Sequence, residues 1–155
     1  MIVYSYYKSP AGLLRLESDG ANLTGLYFTD ASDHPITESP LFTSVKNWLV
    51  AYFAGTPFEP DFPILLNGTS FQKQVWKLLS AIPYGETVTY GDIAREIAIH
   101  CGKQKMSAQA VGQAVGRNPV SIIIPCHRVV GAGGELSGYA GGLDKKQFLL
   151  HHEGW

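Results

Sequence analysis

In the second half of the chain, Pro125-Cys126-His127-Arg128 puts a thiol, an imidazole and a guanidinium on consecutive residues. A thiol becomes a nucleophile only as the thiolate, and a neighbouring base or cation is what makes thiolate available near neutral pH. Cys126 has both kinds of neighbour. The preceding Ile122-Ile123-Ile124 is β-branched throughout and predicts a strand buried on both faces, ended by Pro125, which removes a ladder donor and fixes φ. A strand-ending turn is where a scaffold presents reactive groups. The competing reading is a buried structural cysteine beside two surface polar residues. In a plain strand Cys126 and His127 would point to opposite faces, so a turn or a bridging water is needed for them to communicate. Pro125 supplies a reason for the turn.

The elements that must position this stretch fall into two halves. Residues 2 to 7 alternate Ile2, Tyr4 and Tyr6 on one face, and Leu13 to Glu17 and Leu23 to Phe28 read as two further strands joined through Asp19-Gly20. These predict an antiparallel sheet. Leu41, Val45, Trp48, Leu49 and Tyr52 recur at helical spacing, Gly55 closes that helix, and the proline-rich run from Thr56 leads to a boundary near Gly68. The second half predicts helices over residues 70 to 80, opened by a Thr69/Gln72 capping box, and from Tyr90, opened by Thr89 and Asp92. A third, residues 108 to 116, follows Ser107. The expected fold is mixed α+β, with domains at 1–68 and 69–155.

The third predicted helix, Ala108-Gln109-Ala110-Val111-Gly112-Gln113-Ala114-Val115-Gly116, is built almost wholly of small residues. A helix-interior glycine costs about 1 kcal/mol relative to alanine. Close helix packing would explain the choice. So would a helix that must approach a nucleic-acid groove, as the second helix of a helix-turn-helix pair does.

Charge and composition narrow the classes. Residues 1–69 carry three basic side chains against seven acidic, whereas residues 70–155 carry nine against six, so the half with Cys126 is the basic one, a weak footprint for nucleic acid. No apolar run approaches a membrane span, and the amino end lacks the order of a signal peptide, so a soluble intracellular protein is expected. Cys101 and Cys126 form no disulfide framework. His100-Cys101 and Cys126-His127 do not have zinc-ligand spacing, and no metal or other cofactor is expected.

Asn118-Pro119, Pro125-Cys126-His127-Arg128-Val129-Val130, Ser137-Gly138-Tyr139-Ala140-Gly141-Gly142 and Leu149-Leu150-His151-His152-Glu153-Gly154 stand in the order and spacing of the O6-alkylguanine-DNA alkyltransferases, which residues 70 to 155 resemble. Residues 1 to 69 fit that family's smaller amino-terminal domain in length and element order. The resemblance implies a ribonuclease H-like first domain and a mostly helical winged-helix/helix-turn-helix second domain. It implies direct DNA repair: minor-groove binding of duplex DNA, rotation of the alkylated guanine out of the stack, and irreversible alkyl transfer to Cys126. O6-alkylguanine is the main substrate so implied, with O4-alkylthymine beside it, and each molecule acts once, as a monomer in the cytoplasm of a bacterial-type cell, on the nucleoid.

Position by position, the resemblance makes Cys126 the acceptor and His127 a base acting through a water and held by Glu153. Asn118 supports the neighbouring turn. Tyr90 crowds the target phosphate and protonates the departing guanine. Gln109, Ala110, Val111, Gly112, Arg117 and Arg128 face DNA together with Tyr90. Val115, Leu136, Ser137, Gly138, Tyr139, Ala140 and Gly141 wall the pocket. Gln109 stands where many members carry an intercalating arginine, which predicts weaker or more salt-tolerant DNA binding. The rival functions are a lesion-binding protein without transfer activity, a Cys/His thiol hydrolase, and a helix-turn-helix regulator. The acceptor thiol argues against the first; the second would require an acyl pocket and turnover, and the third DNA sequence preference and a dimer interface, which nothing in the sequence signals.

Overall fold

The computed structural model describes all 155 residues, which form two compact units, Met1–Asn67 with Pro119–Ser121, and Gly68–Asn118 with Ile122–Trp155. In the first, β1 (Val3–Ser9), β2 (Gly12–Ser18) and β3 (Leu23–Phe28) form an antiparallel sheet in that order. β3 has the predicted bounds, whereas the end of β1 and both ends of β2 run a residue or two beyond them because tight turns let pairing continue. At Pro10-Ala11, the Ser9 hydroxyl accepts from the amides of Ala11 and Gly12, each at 3.1 Å. At the next turn the Asp19 carboxylate accepts from Ala21 and Asn22 at 2.9 and 2.7 Å, and Gly20 takes φ +99°. Ser5, Leu14, Leu16 and Leu26 are buried. Helix α1 (Pro40–Phe53), capped by Ser39 with Pro40 in its first turn, packs against β1 and buries Phe42, Val45, Trp48, Leu49 and Tyr52.

One segment departs from the expected boundary at residue 68. Pro119-Val120-Ser121, far down the chain, belongs to the first unit: Leu26 donates to the Pro119 carbonyl and accepts from the Ser121 amide, both at 2.9 Å. Parallel pairing along β3 satisfies backbone groups that would otherwise be an open edge.

The second unit holds α2 (Ser70–Ser80), α3 (Tyr90–His100), α4 (Ala108–Gly116) and α5 (Leu143–His152). Both expected capping boxes form, Thr69 with Gln72 and Thr89 with Asp92, and Ser107 caps α4. Trp76 is 1% exposed, and its indole donates to the Ala114 carbonyl at 2.9 Å, which pins α2 to α4. No helix is long and apolar enough to cross a membrane.

The predicted strand over Ile122-Ile123-Ile124 does not form. Those residues make a tight reversal in which Ile122 takes φ +69°, a left-handed conformation that β-branched residues rarely adopt. Both ends of the reversal are fixed. Ser121 is bonded to β3, and the Asn118 side-chain amide donates across the loop to the Ile124 carbonyl at 2.8 Å. The regular pairing comes after the proline instead, where β5 (Val129–Val130) lies parallel to β4 (Val88–Thr89). Between them Cys126–Arg128 forms one 3-10 turn, so strand alternation does not separate the thiol from the imidazole.

Candidate active site

Cys126 opens that turn and is 5% exposed. Burial pushes its thiol pKa up, and the Asn118 side chain and the Lys146 ammonium pull it part of the way back. The resting group is therefore the thiol, and reaction needs a base. His127 is fully buried, and its Nε2 lies 2.6 Å from Glu153 Oε2. A carboxylate can only accept, so Nε2 carries the proton and the lone pair sits on Nδ1, which is buried with no protein partner. Burial lowers the imidazole pKa, against the raising effect of Glu153.

Glu153 arrives from the far end of the chain as the residue capping α5. Its Oε1 accepts from Arg128 Nε at 2.7 Å and from the Gly85 amide at 3.2 Å, and its Oε2 accepts from Arg128 Nη2 at 3.0 Å. Arg128 Nη1 reaches the Ile82 carbonyl at 2.7 Å, and the Tyr84 ring lies 5.6 Å from the guanidinium carbon. The expected DNA contact from Arg128 is thus corrected: its side chain is 9% exposed and directed inward. A guanidinium so desolvated is held by its carboxylate, since leaving either charge alone would be costly.

Above the thiol lies a cavity of about 680 Å³, walled by Tyr90, Gln109, Gly112, Val115, Asn118 and the loop residues Ser137, Gly138, Tyr139 and Ala140. Tyr90 is the first residue of α3, and its hydroxyl donates to the Ser137 carbonyl at 2.8 Å, tying helix to loop. Leu136 and Gly141 fall outside this lining. Ala110 and Arg117 border a neighbouring groove beside Phe71 and Gln72. Val111 is fully buried, so the expected DNA contact there is also corrected; it faces the core of the unit. The resemblance put four consecutive residues of α4, Gln109 to Gly112, on DNA, whereas a helix presents only part of its circumference to a ligand.

The glycines of α4 bear on the alternative left open by the sequence. A methyl group at Gly116 would meet nothing within 4 Å, and one at Gly112 would rest 3.8 Å from the Tyr90 ring, in ordinary contact. Internal packing does not demand them, which favours clearance for a ligand. Gly112→Ala is expected to stabilise the fold by about 1 kcal/mol in chemical denaturation while weakening binding to duplex DNA in a titration. A gain in stability with unchanged affinity would remove the glycine from the interface.

Lys146 is the residue that motif reading missed. It is fully buried. Its ammonium donates to the carbonyls of Gly138 and Ser137 at 3.2 and 3.4 Å and to the Tyr90 hydroxyl at 3.4 Å, and no carboxylate pairs with it. Desolvation lowers its pKa, with the nearby thiol opposing. The signal was available in α5: Lys146, Leu149, Leu150 and Glu153 share the i, i+3, i+4, i+7 stripe that faces a core. No group of three or more His, Cys, Asp or Glu side chains is arranged to hold a metal ion.

Family comparisons agree with this geometry at both ends of the chain. Residues 2–66 match the family model described as 6-O-methylguanine DNA methyltransferase, ribonuclease-like domain, and residues 70–155 match its DNA binding domain. A methylated-DNA–protein-cysteine methyltransferase of Mycolicibacterium paratuberculosis is 46% identical, the match covering 97% of this chain and 91% of that one. One from Methanosarcina acetivorans is 45% identical over 97% of each chain. The crystal structure of Mycobacterium tuberculosis OGT in complex with DNA superimposes with a TM-score of 0.84 at 44% identity, covering 97% of this chain and 91% of that one. With both domain models matched in order and near-full-length relatives at this identity, the chain belongs to the 6-O-methylguanine DNA methyltransferase family.

Proposed function

We propose that the protein reverses alkylation damage directly, moving the alkyl group from O6 of a guanine in duplex DNA onto Cys126, once per molecule. The observation that carries this reading is a buried thiol lining a cavity with ample room for a nucleobase, one residue from an imidazole held by a buried carboxylate. Helices α3 and α4 form the helix-turn-helix that engages the minor groove, with Gln109 and Gly112 beside the extruded base and Arg117 along the backbone. The target base enters the cavity under Tyr90. Such chemistry belongs where the chromosome is, which in a bacterial-type cell is the cytoplasm.

The reaction is a displacement at a saturated carbon. A water between Cys126 Sγ and His127 Nδ1 passes the thiol proton to the imidazole, and the resulting imidazolium is stabilised by Glu153. The thiolate then attacks the methyl carbon, an S–C bond forms, and the C–O6 bond breaks with its electron pair leaving on guanine. That negative charge is the costly part of the transition state. Tyr90 and the Lys146 ammonium behind it supply the donor that offsets it and returns a proton to the base. The thioether has no leaving tendency, and no cofactor enters the balance.

Intact mass after incubation with a duplex containing O6-methylguanine tests the proposal. One added methyl group is expected, absent in Cys126→Ala. Normal DNA binding without any mass gain would instead indicate a protein that recognises the lesion and leaves it in place.

A further inference from the structure

Arg128 is an unusual neighbour for an imidazole that must accept a proton. It grips both oxygens of the carboxylate that holds His127, Nε to Oε1 at 2.7 Å and Nη2 to Oε2 at 3.0 Å, while His127 Nε2 shares Oε2 at 2.6 Å. Two further contacts, Nη1 on the Ile82 carbonyl and the Tyr84 ring against its face, are also inside the unit. A planar fork on a planar carboxylate fixes the plane of both. That plane in turn sets the imidazole through the short bond to Nε2.

We infer that Arg128 is a positioning residue for alkyl transfer, locking Glu153 and through it His127, and neutralising the carboxylate so that His127 stays unprotonated as the pH falls. The inference rests on the relay role of His127 proposed above. The groups that act on the imidazole are Glu153 and Lys146 from the α5 segment and Arg128 from its own turn; Cys126 precedes it in that turn, and the Tyr84 ring lies against the guanidinium. Of these only Glu153 favours the imidazolium, while both cations and burial oppose it. Without the guanidinium, Glu153 would present an unshared charge to the ring, the imidazolium would gain, and the base form would be lost at a higher pH.

Single-turnover methyl transfer, followed by intact mass from about pH 5 to 8, tests this in four proteins: the parent, His127→Gln, Arg128→Gln and Arg128→Lys. The parent rate should fall on the acid side of a plateau, and that plateau should be lost in His127→Gln, whose slower rate should climb with pH throughout, following the thiolate fraction. In Arg128→Gln the midpoint of the fall should rise by about one pH unit. In Arg128→Lys, which keeps the charge but cannot donate in parallel to both oxygens, the midpoint should hold and the plateau should fall about tenfold. A plateau reached at the parent midpoint in His127→Gln removes the relay and the inference with it. A plateau that is lost there but is reached at the parent midpoint in a folded Arg128→Gln overturns the role of Arg128 alone. Should Arg128→Gln fail to fold, Arg128→Lys decides, and a parent-like plateau overturns the inference.

Discussion

Glu153→Ala is expected to lower folding stability by about 3–5 kcal/mol and to slow alkyl transfer by about 10²–10⁴-fold. The stability loss follows from what the carboxylate leaves behind. Arg128 would be a buried cation without its anion, and the Gly85 amide would lose its acceptor. The rate loss has a separate origin, in the imidazole that no longer has a partner on Nε2. Glu153→Gln distinguishes the two: it keeps the shape and one accepting oxygen, removes the charge, and is expected to slow transfer with little change in DNA affinity. Urea unfolding and single-turnover rates read the two effects independently. An unaltered rate in Glu153→Gln would take the carboxylate out of the reaction and leave it a purely structural anchor.

Lys146→Met is expected to separate the two effects, slowing transfer by about 10²-fold while leaving stability unchanged or raising it by about 1–2 kcal/mol. Its ammonium is buried on neutral oxygens, two loop carbonyls and a phenol, with no carboxylate to balance it. Burying a charge so incompletely compensated is unfavourable, and a methionine of similar length would fill the space without that cost. A fold that keeps such a group gains from it elsewhere, and in the mechanism proposed above that gain is at the Tyr90 hydroxyl, the donor that meets the departing guanine. A variant that transfers methyl at the parent rate would show that the ammonium only braces the Ser137-Gly138 loop. One that loses stability would show that its carbonyl bonds outweigh its desolvation.

What could be read from the sequence divides along physical lines. Helices α2 and α4 were legible to the residue because their boundaries are local: Thr69 and Ser107 cap them through side-chain bonds within the same turn. The β1–β2–β3 meander was legible because Asp19-Gly20 and Pro10-Ala11 are local turn chemistry. The Ile122-Ile123-Ile124 reversal was not, because the Asn118 bond to Ile124 and the pairing of Ser121 with Leu26 override a strong β propensity, and only the latter spans most of the chain. At the site, the motif brought Cys126, His127 and Glu153 into one account. The resemblance also set Arg128 against DNA, and nothing in a linear pattern says whether a guanidinium faces solvent or a buried carboxylate. Lys146 was hidden for the converse reason. A lysine beside Lys145 reads as surface, and its place on the apolar stripe of α5 becomes telling only once that stripe is known to be buried.

The pairing of Pro119-Val120-Ser121 with β3 has a bearing on how the chain is made. Synthesis proceeds from the amino end, and β3 is complete by Phe28, yet the segment that pairs with Leu26 is added only after all of α4. During translation the first unit therefore waits, with one strand edge open, for nearly a hundred residues of nascent chain. Its closure coincides with emergence of the loop that carries Ile122 and, five residues later in the reading frame than Ser121, the acceptor Cys126. A ribosome-bound fragment stopped before Pro119 would present that unfinished edge to other chains, so the last native contact of the older unit and the first of the reactive turn belong to the same moment of biogenesis.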